Sequence, residues 1–138
     1  KVLKKYGFSC FRGIQPNFES QPKIYQLLWL FSLTSPPTFK PDVTEGLINI
    51  PASFYLLSAR GPRKFIPSWV IINKAKRGID QAIERDEVFH LWTHLEDFGE
   101  NYEFKMKVFK NIVNYAIKKR EEGKFEIKSM QEIAKKYA

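Results

Sequence analysis

Apolar residues recur at helical spacing in three stretches of the chain. Ile24 to Leu33 is apolar throughout and is closed by Ser35-Pro36-Pro37, where proline bars continuation. Ile71 to Glu84 carries Ile72, Ala75, Ile79, Ala82 and Ile83 near one face. Phe104 to Glu122 is the clearest helix, with Phe104, Val108, Ile112, Tyr115 and Ala116 in a stripe and Gly123 to end it. Two further helices are marked by their ends. Lys4-Lys5-Tyr6-Gly7 reads as a helix terminus, and Ser129 with Glu132 makes a capping box for Met130 to Tyr137. Between the helices lie four short runs: Phe8 to Phe11, Leu47 to Pro51, Val88 to His94 and Phe125 to Ile127. Each is aromatic or β-branched and bounded by turn residues, as strands are.

Helices and strands therefore alternate along the whole chain, which predicts an α/β fold with parallel strands and helices packed outside them. The series begins and ends on a helix that needs a neighbouring strand. The expected architecture is a partial (β/α) barrel, several consecutive βα units of a larger barrel or sheet. Pro16 to Pro22 reads as a polar loop. The irregular stretch from Pro51 to Pro67, with Arg60, Arg63 and Lys64, is long enough to expect a function of it.

At 138 residues, 43% hydrophobic and 28% charged, the chain has the composition of one globular domain rather than of a disordered segment. A formal charge of +8 raises the question of a polyanionic partner. The basic residues are scattered, however, and the densest cluster, Lys118-Lys119-Arg120, is followed at once by Glu121-Glu122. Scattered charge favours a solvated surface over a nucleic-acid interface. Cys10 stands alone, which excludes a disulfide framework and a cysteine metal site. No apolar run approaches the roughly 20 residues of a membrane span. The compartment is open, with the cytoplasm slightly favoured.

Candidate chemistry collects at Val88 to His94. On a strand, His90, Trp92 and His94 share one face, and His94 falls where the strand runs out into a loop. Four residues along a strand span roughly 13 Å, too far for both histidines to bind one ion at ~2 Å. His94 is suited to general acid or base work, its natural pKa lying close to neutrality, or to a structural role. Arg12, just past a strand, presents a planar fork suited to a carboxylate, or is a surface arginine. Trp92 is core packing or the wall of a sugar pocket. Glu96 lines the same pocket or is a solvated loop carboxylate. Cys10 reads as a small buried hydrophobe rather than a nucleophile.

Three strings, in order, carry a resemblance: Phe8-Ser9-Cys10-Phe11-Arg12-Gly13, Gly46-Leu47-Ile48-Asn49-Ile50-Pro51-Ala52-Ser53 and Phe89-His90-Leu91-Trp92-Thr93-His94. With the closing stretch from Lys118 to Ala134, they resemble the carboxyl-terminal half of a polysaccharide deacetylase, and the histidine string is the most specific part. The resemblance implies an irregular deacetylase-type βα barrel, with residues 1–138 forming the carboxyl-terminal part of a single catalytic domain. It implies a hydrolase that removes acetyl groups from an N-acetylated glycan or amino sugar with a divalent metal, zinc being favoured.

On that resemblance, His94 would protonate the departing amine and Arg12 would orient an aspartate base. Trp92, His90 and Glu96 would contact substrate. The family's paired aspartates and His-x-x-x-His motif precede its arginine motif, so this chain is expected to hold none of the metal ligands. It would need the missing amino-terminal half as its partner and would be inactive alone. The family's later aspartate motif is not matched here, Asn49 and Glu45 being poor substitutes for it. The alternatives from other classes are a basic α/β module binding nucleic acid or anionic polysaccharide, and a non-catalytic partner that completes a split barrel.

Overall fold

The computed structural model describes residues 2–14, 21–56, 65–99 and 101–137. The Pro16 to Ser20 part of the polar loop and the basic residues Arg60, Arg63 and Lys64 lie outside them.

The chain opens on α1 (Val2–Lys5), which stops where the sequence places a stop. Phe8 N–H reaches Leu3 O at 3.2 Å and Gly7 N–H reaches Lys4 O at 3.1 Å, with Gly7 at φ +79°. These are the two bonds of a Schellman cap, and they need the left-handed backbone that glycine supplies without strain. β1 (Cys10–Gly13) follows, two residues later than the sequence pattern predicts. Helix α2 (Lys23–Phe31) turns Leu30 inward and leaves Ile24, Tyr25, Leu28 and Phe31 exposed.

β2 (Asp42–Thr44) and β3 (Leu47–Pro51) form an antiparallel hairpin that the sequence pattern did not predict. Its two-residue loop, Glu45-Gly46, takes positive φ at both positions, as the tightest hairpins require. β1 runs parallel to β3, with Arg12 opposite Ile50. β4 (Phe54–Tyr55) runs parallel to β5 (Leu91–Trp92), with Tyr55 opposite Trp92. These pairings make one three-stranded sheet, ordered β1-β3-β2, and one two-stranded sheet among the described residues.

Only Ala52 and Ser53 separate β3 from β4, so residues 47–55 pair with β1 through their first half and with β5 through their second. Ala52 N–H still reaches Gly13 O at 3.0 Å, whereas Ser53 N–H already bonds His90 O at 3.0 Å. This switch of partner carries the ends of β1 and β5 to the same place.

Helix α3 (Ser68–Arg85) buries Val70, Ile71, Ala75, Ile79 and Ala82 and ends on Asp86 in the left-handed conformation. Helix α4 (Tyr102–Glu121) packs on it through Val108 and Ile112. The main core joins these helices to Leu30, Phe54, Leu56 and Ile66. Gly78 exists for Phe89: a Cβ at position 78 would stand 2.3 Å from the Phe89 ring. A smaller core joins Ile48 and Ile50 to Ala134 of α5 (Met130–Tyr137), with Cys10 at its edge and its thiol 3.6 Å from Met130 O. Ser129 and Glu132 make the predicted capping box, Glu132 Oε2 lying 2.7 Å from both Ser129 N and Oγ.

One predicted strand is not formed. Phe125 to Ile127 pairs with no strand among the described residues, and Phe125 packs against the α3–α4 core instead. A strand exists only by pairing, and β propensity over three residues does not substitute for a partner.

Candidate functional site

The ends of β1, β4 and β5 bring three aromatic rings and a guanidinium together. The Arg12 guanidinium lies 3.7 Å above the Trp92 ring. Tyr55, the register partner of Trp92, packs against it with ring centroids 4.4 Å apart. His94 meets both edge-on, at 5.3 Å from Trp92 and 6.0 Å from Tyr55. Trp92 and Tyr55 are half-buried while Arg12 and His94 are exposed. A cation over an indole is worth about 0.5–1 kcal/mol when exposed, enough to bias the long arginine side chain toward one geometry. Arg12 therefore lies over Trp92, with Tyr55 tilted by 31° against the same ring and the exposed imidazole edge-on beside it. The guanidinium fork suits a carboxylate.

His94 is held in place from beneath. It precedes a single 3-10 turn, Leu95–Phe98, whose Asp97 is 5% exposed. The Asp97 carboxylate accepts the Tyr55 hydroxyl and, at 3.4 Å, the backbone N–H of His94. Burial alone would push this carboxyl up. The Tyr55 hydroxyl, the His94 N–H and the positive charges of Lys105 and His94 outweigh it and hold Asp97 below the usual aspartate value.

His90 does not join the corner. Its backbone N–H donates to Ser53 Oγ at 3.0 Å, and its Nδ1 lies 3.2 Å from Ile50 O. Burial is the main reason its pKa is lowered; the Arg12 charge adds to it, and the carbonyls of Ile50 and Pro51 oppose it. His90 instead borders a cavity of about 590 Å³ between β5, the α3–α4 pair and the carboxyl-terminal segment, lined largely by apolar groups such as Ile79, Phe89, Ile112 and Phe125. Arg12, Trp92 and His94 do not line that cavity. Glu96 is exposed on the 3-10 turn, and its carboxylate makes no hydrogen bond or ion pair among the described residues. Of the five residues the sequence singles out, the fold assembles Arg12, Trp92 and His94 and leaves His90 and Glu96 apart.

Sequence reasoning missed Tyr55 and Asp97 as parts of this site. Tyr55 falls in the stretch read as irregular, and Asp97 is of a residue type common in turns. Among the described residues no group of three His, Cys, Asp or Glu could hold a metal ion. No helix among them is long and apolar enough to cross a membrane. No family model matches the chain, and no curated protein or solved structure does either.

Proposed function

We propose that this chain is the carboxyl-terminal part of a βα-barrel hydrolase that removes acetyl groups from an N-acetylated glycan or amino sugar. The observation that carries the reading is the juxtaposition of Arg12, Trp92 and His94, drawn from two separate strings of the deacetylase resemblance. In this reading Trp92, with Tyr55 packed against it, is the wall of the sugar pocket. His94, exposed at the strand end, gives its proton to the amine that leaves when the amide breaks. The Arg12 fork takes up the carboxylate that acts as base, which the resemblance assigns to the amino-terminal half. On the resemblance, the divalent ion of the family is held by the amino-terminal half, and the chain alone is inactive.

The test is to express the coding sequence with roughly 150 residues upstream of Lys1, a length set by one domain, and assay deacetylation of an N-acetylglucosamine oligomer. The expected upstream segment carries an Asp-Asp pair and a His-x-x-x-His motif, and His94→Ala is expected to lower kcat by about 10²–10⁴. An upstream sequence without those residues, or a His94→Ala protein with undiminished turnover, would sink the reading. Strongly salt-dependent binding to polyanions would turn attention to the basic binding module instead.

A further inference from the structure

We propose that the cavity between β5, the α3–α4 pair and the carboxyl-terminal segment binds an uncharged aromatic molecule bearing one hydroxyl, a substituted phenol, whose hydroxyl donates to Nε2 of His90. Its volume of about 590 Å³ lies within the ~300–1,000 Å³ of small-molecule sites and far above the water-sized voids that packed interiors leave. The cavity lies where the two cores meet. Buried Ile79 and Ile112 line it from the main core, and Ile50, Met130 and Ile133 line it from the smaller one. An apolar occupant would touch both clusters at once and join them. The rings of Phe89 and Phe125 among the walls suit an aromatic one. A way in exists at Ile127, which borders the cavity and is 48% exposed.

The lining selects against a charged occupant. Asp86, Glu87 and Glu126 are matched there by Lys124, Lys128 and Lys136, so the formal charges of the described lining cancel. Most of these groups are already engaged: Lys124 holds Glu122 at 3.1 Å, Lys128 holds Glu126, and Glu87 accepts the Thr38 hydroxyl. His90 supplies the directional group, and its backbone is fixed on both sides. Its N–H donates to Ser53 Oγ, and its carbonyl accepts the Ser53 and Phe54 N–H groups. Burial keeps the ring neutral at pH 7, with a single N–H, and the carbonyls of Ile50 and Pro51 both act on it. Ile50 O lies 3.2 Å from Nδ1. A carbonyl only accepts, so Nδ1 carries the hydrogen and Nε2 keeps a lone pair that needs a donor. A hydroxyl provides one, whereas a carboxylate or an ether does not. Arg12, Trp92 and His94 do not line this cavity, so the site stands apart from the proposed deacetylase chemistry.

The test is titration of the 138-residue chain at pH 7 with para-propylphenol and with its methyl ether, followed by NMR of the isoleucine methyl groups and the His90 ring nitrogens. Saturable shifts are expected at Ile79, Ile112 and His90 Nε2. The phenol should bind about five- to tenfold more tightly than the ether, which is the contribution of one hydrogen bond. His90→Phe is expected to bring the two affinities together, and Ala116→Phe, which fills the cavity from α4, to abolish both. Shifts that never saturate, shifts confined to other parts of the chain, or equal affinities of phenol and ether for the unaltered protein would overturn the proposal. That last comparison needs no variant, so it holds even if a substituted chain does not fold. Failure here leaves the deacetylase reading intact, and an upstream sequence without the metal motif leaves this site standing.

Discussion

Removing one oxygen from Tyr55 isolates the bond that joins the Tyr55–Trp92 pair to the His94 turn. Tyr55→Phe keeps the ring and its 4.4 Å packing on Trp92, and deletes only the hydroxyl that Asp97 accepts. Asp97 is 5% exposed, so water cannot freely replace the lost donor. A hydrogen bond to a charged group contributes about 1.5–3 kcal/mol, and leaving a buried acceptor short of partners costs a comparable amount. The expected loss at pH 7 is therefore about 2 kcal/mol. The sign of the pH dependence is also fixed. Asp97 titrates lower in the folded chain than in the unfolded one, so its contribution is complete above the unfolded value, near 3.9, and is lost as pH falls through the folded value. In Tyr55→Phe the burial that raises the carboxyl is less opposed, and that loss begins at higher pH. Below the folded value, where Asp97 is neutral in both proteins, only a neutral hydrogen bond of about 1 kcal/mol still separates them. Urea unfolding followed by far-ultraviolet circular dichroism across a series of pH values measures how the difference changes. A difference that does not shrink as pH falls through the folded value, or a loss below about 0.5 kcal/mol at pH 7, would refute the idea that Asp97 is held as a buried carboxylate by Tyr55.

Lys74 is 1% exposed, and its Nζ donates to Trp29 O and Thr34 O, both at 2.6 Å, where α2 ends; Lys74→Met is expected to lower stability by about 2–4 kcal/mol in urea unfolding. Burial, with a smaller part from Arg77, lowers the Lys74 pKa to about 8, so the unfolded chain binds more protons between pH 8 and the free value near 10.4. Wild-type stability should therefore rise across that window relative to Lys74→Met, and a flat difference would contradict this. Gly78→Ala gains about 1 kcal/mol of helix propensity but drives a methyl into the Phe89 ring at 2.3 Å, and overpacking costs about 1–3 kcal/mol; a net loss in thermal unfolding is expected, and a more stable variant would contradict it. Burial keeps His90 neutral at pH values where the unfolded chain already binds a proton, so its contribution is complete above about 6.5 and is lost as pH falls toward the folded value. Its ring resonances should titrate below 6.5 in NMR, and an unshifted or raised midpoint would contradict the burial argument.

The helices were legible because their apolar stripes face real cores. Val108 and Ile112 of α4 and Ala75, Ile79 and Ala82 of α3 are buried as the 3.6-residue period requires. The ends were legible too, because caps are local chemistry: Gly7 closes α1 and Ser129 with Glu132 opens α5 through bonds that span only a few residues. Strands β2 and β4 were not legible. Asp42–Thr44 is exposed throughout and shows no alternation, and Phe54–Tyr55 is two residues long. What makes each a strand is the neighbour it pairs with, which no local pattern encodes.

The same distinction explains why the site was only partly foreseen. Alternation along Val88 to His94 correctly places Trp92 and His94 in contact, but the extended run is not one uniform strand. Val88 pairs with Phe39 in an isolated antiparallel bridge, and only Leu91–Trp92 forms a ladder with β4. Between them, the fully buried Ser53 takes the His90 N–H on its hydroxyl, and the His90 carbonyl accepts both the Ser53 and Phe54 N–H groups. The serine hydroxyl takes a donor at the point where residues 47–55 change partner from β1 to β5. His90 therefore packs by Ile50 instead of facing the corner with Trp92. The switch that withdraws His90 also lets Arg12 on β1 reach across to Trp92 on β5. One local irregularity, produced by a hydroxyl from a distant part of the sequence, thus separates the two histidines and assembles the arginine with the second of them.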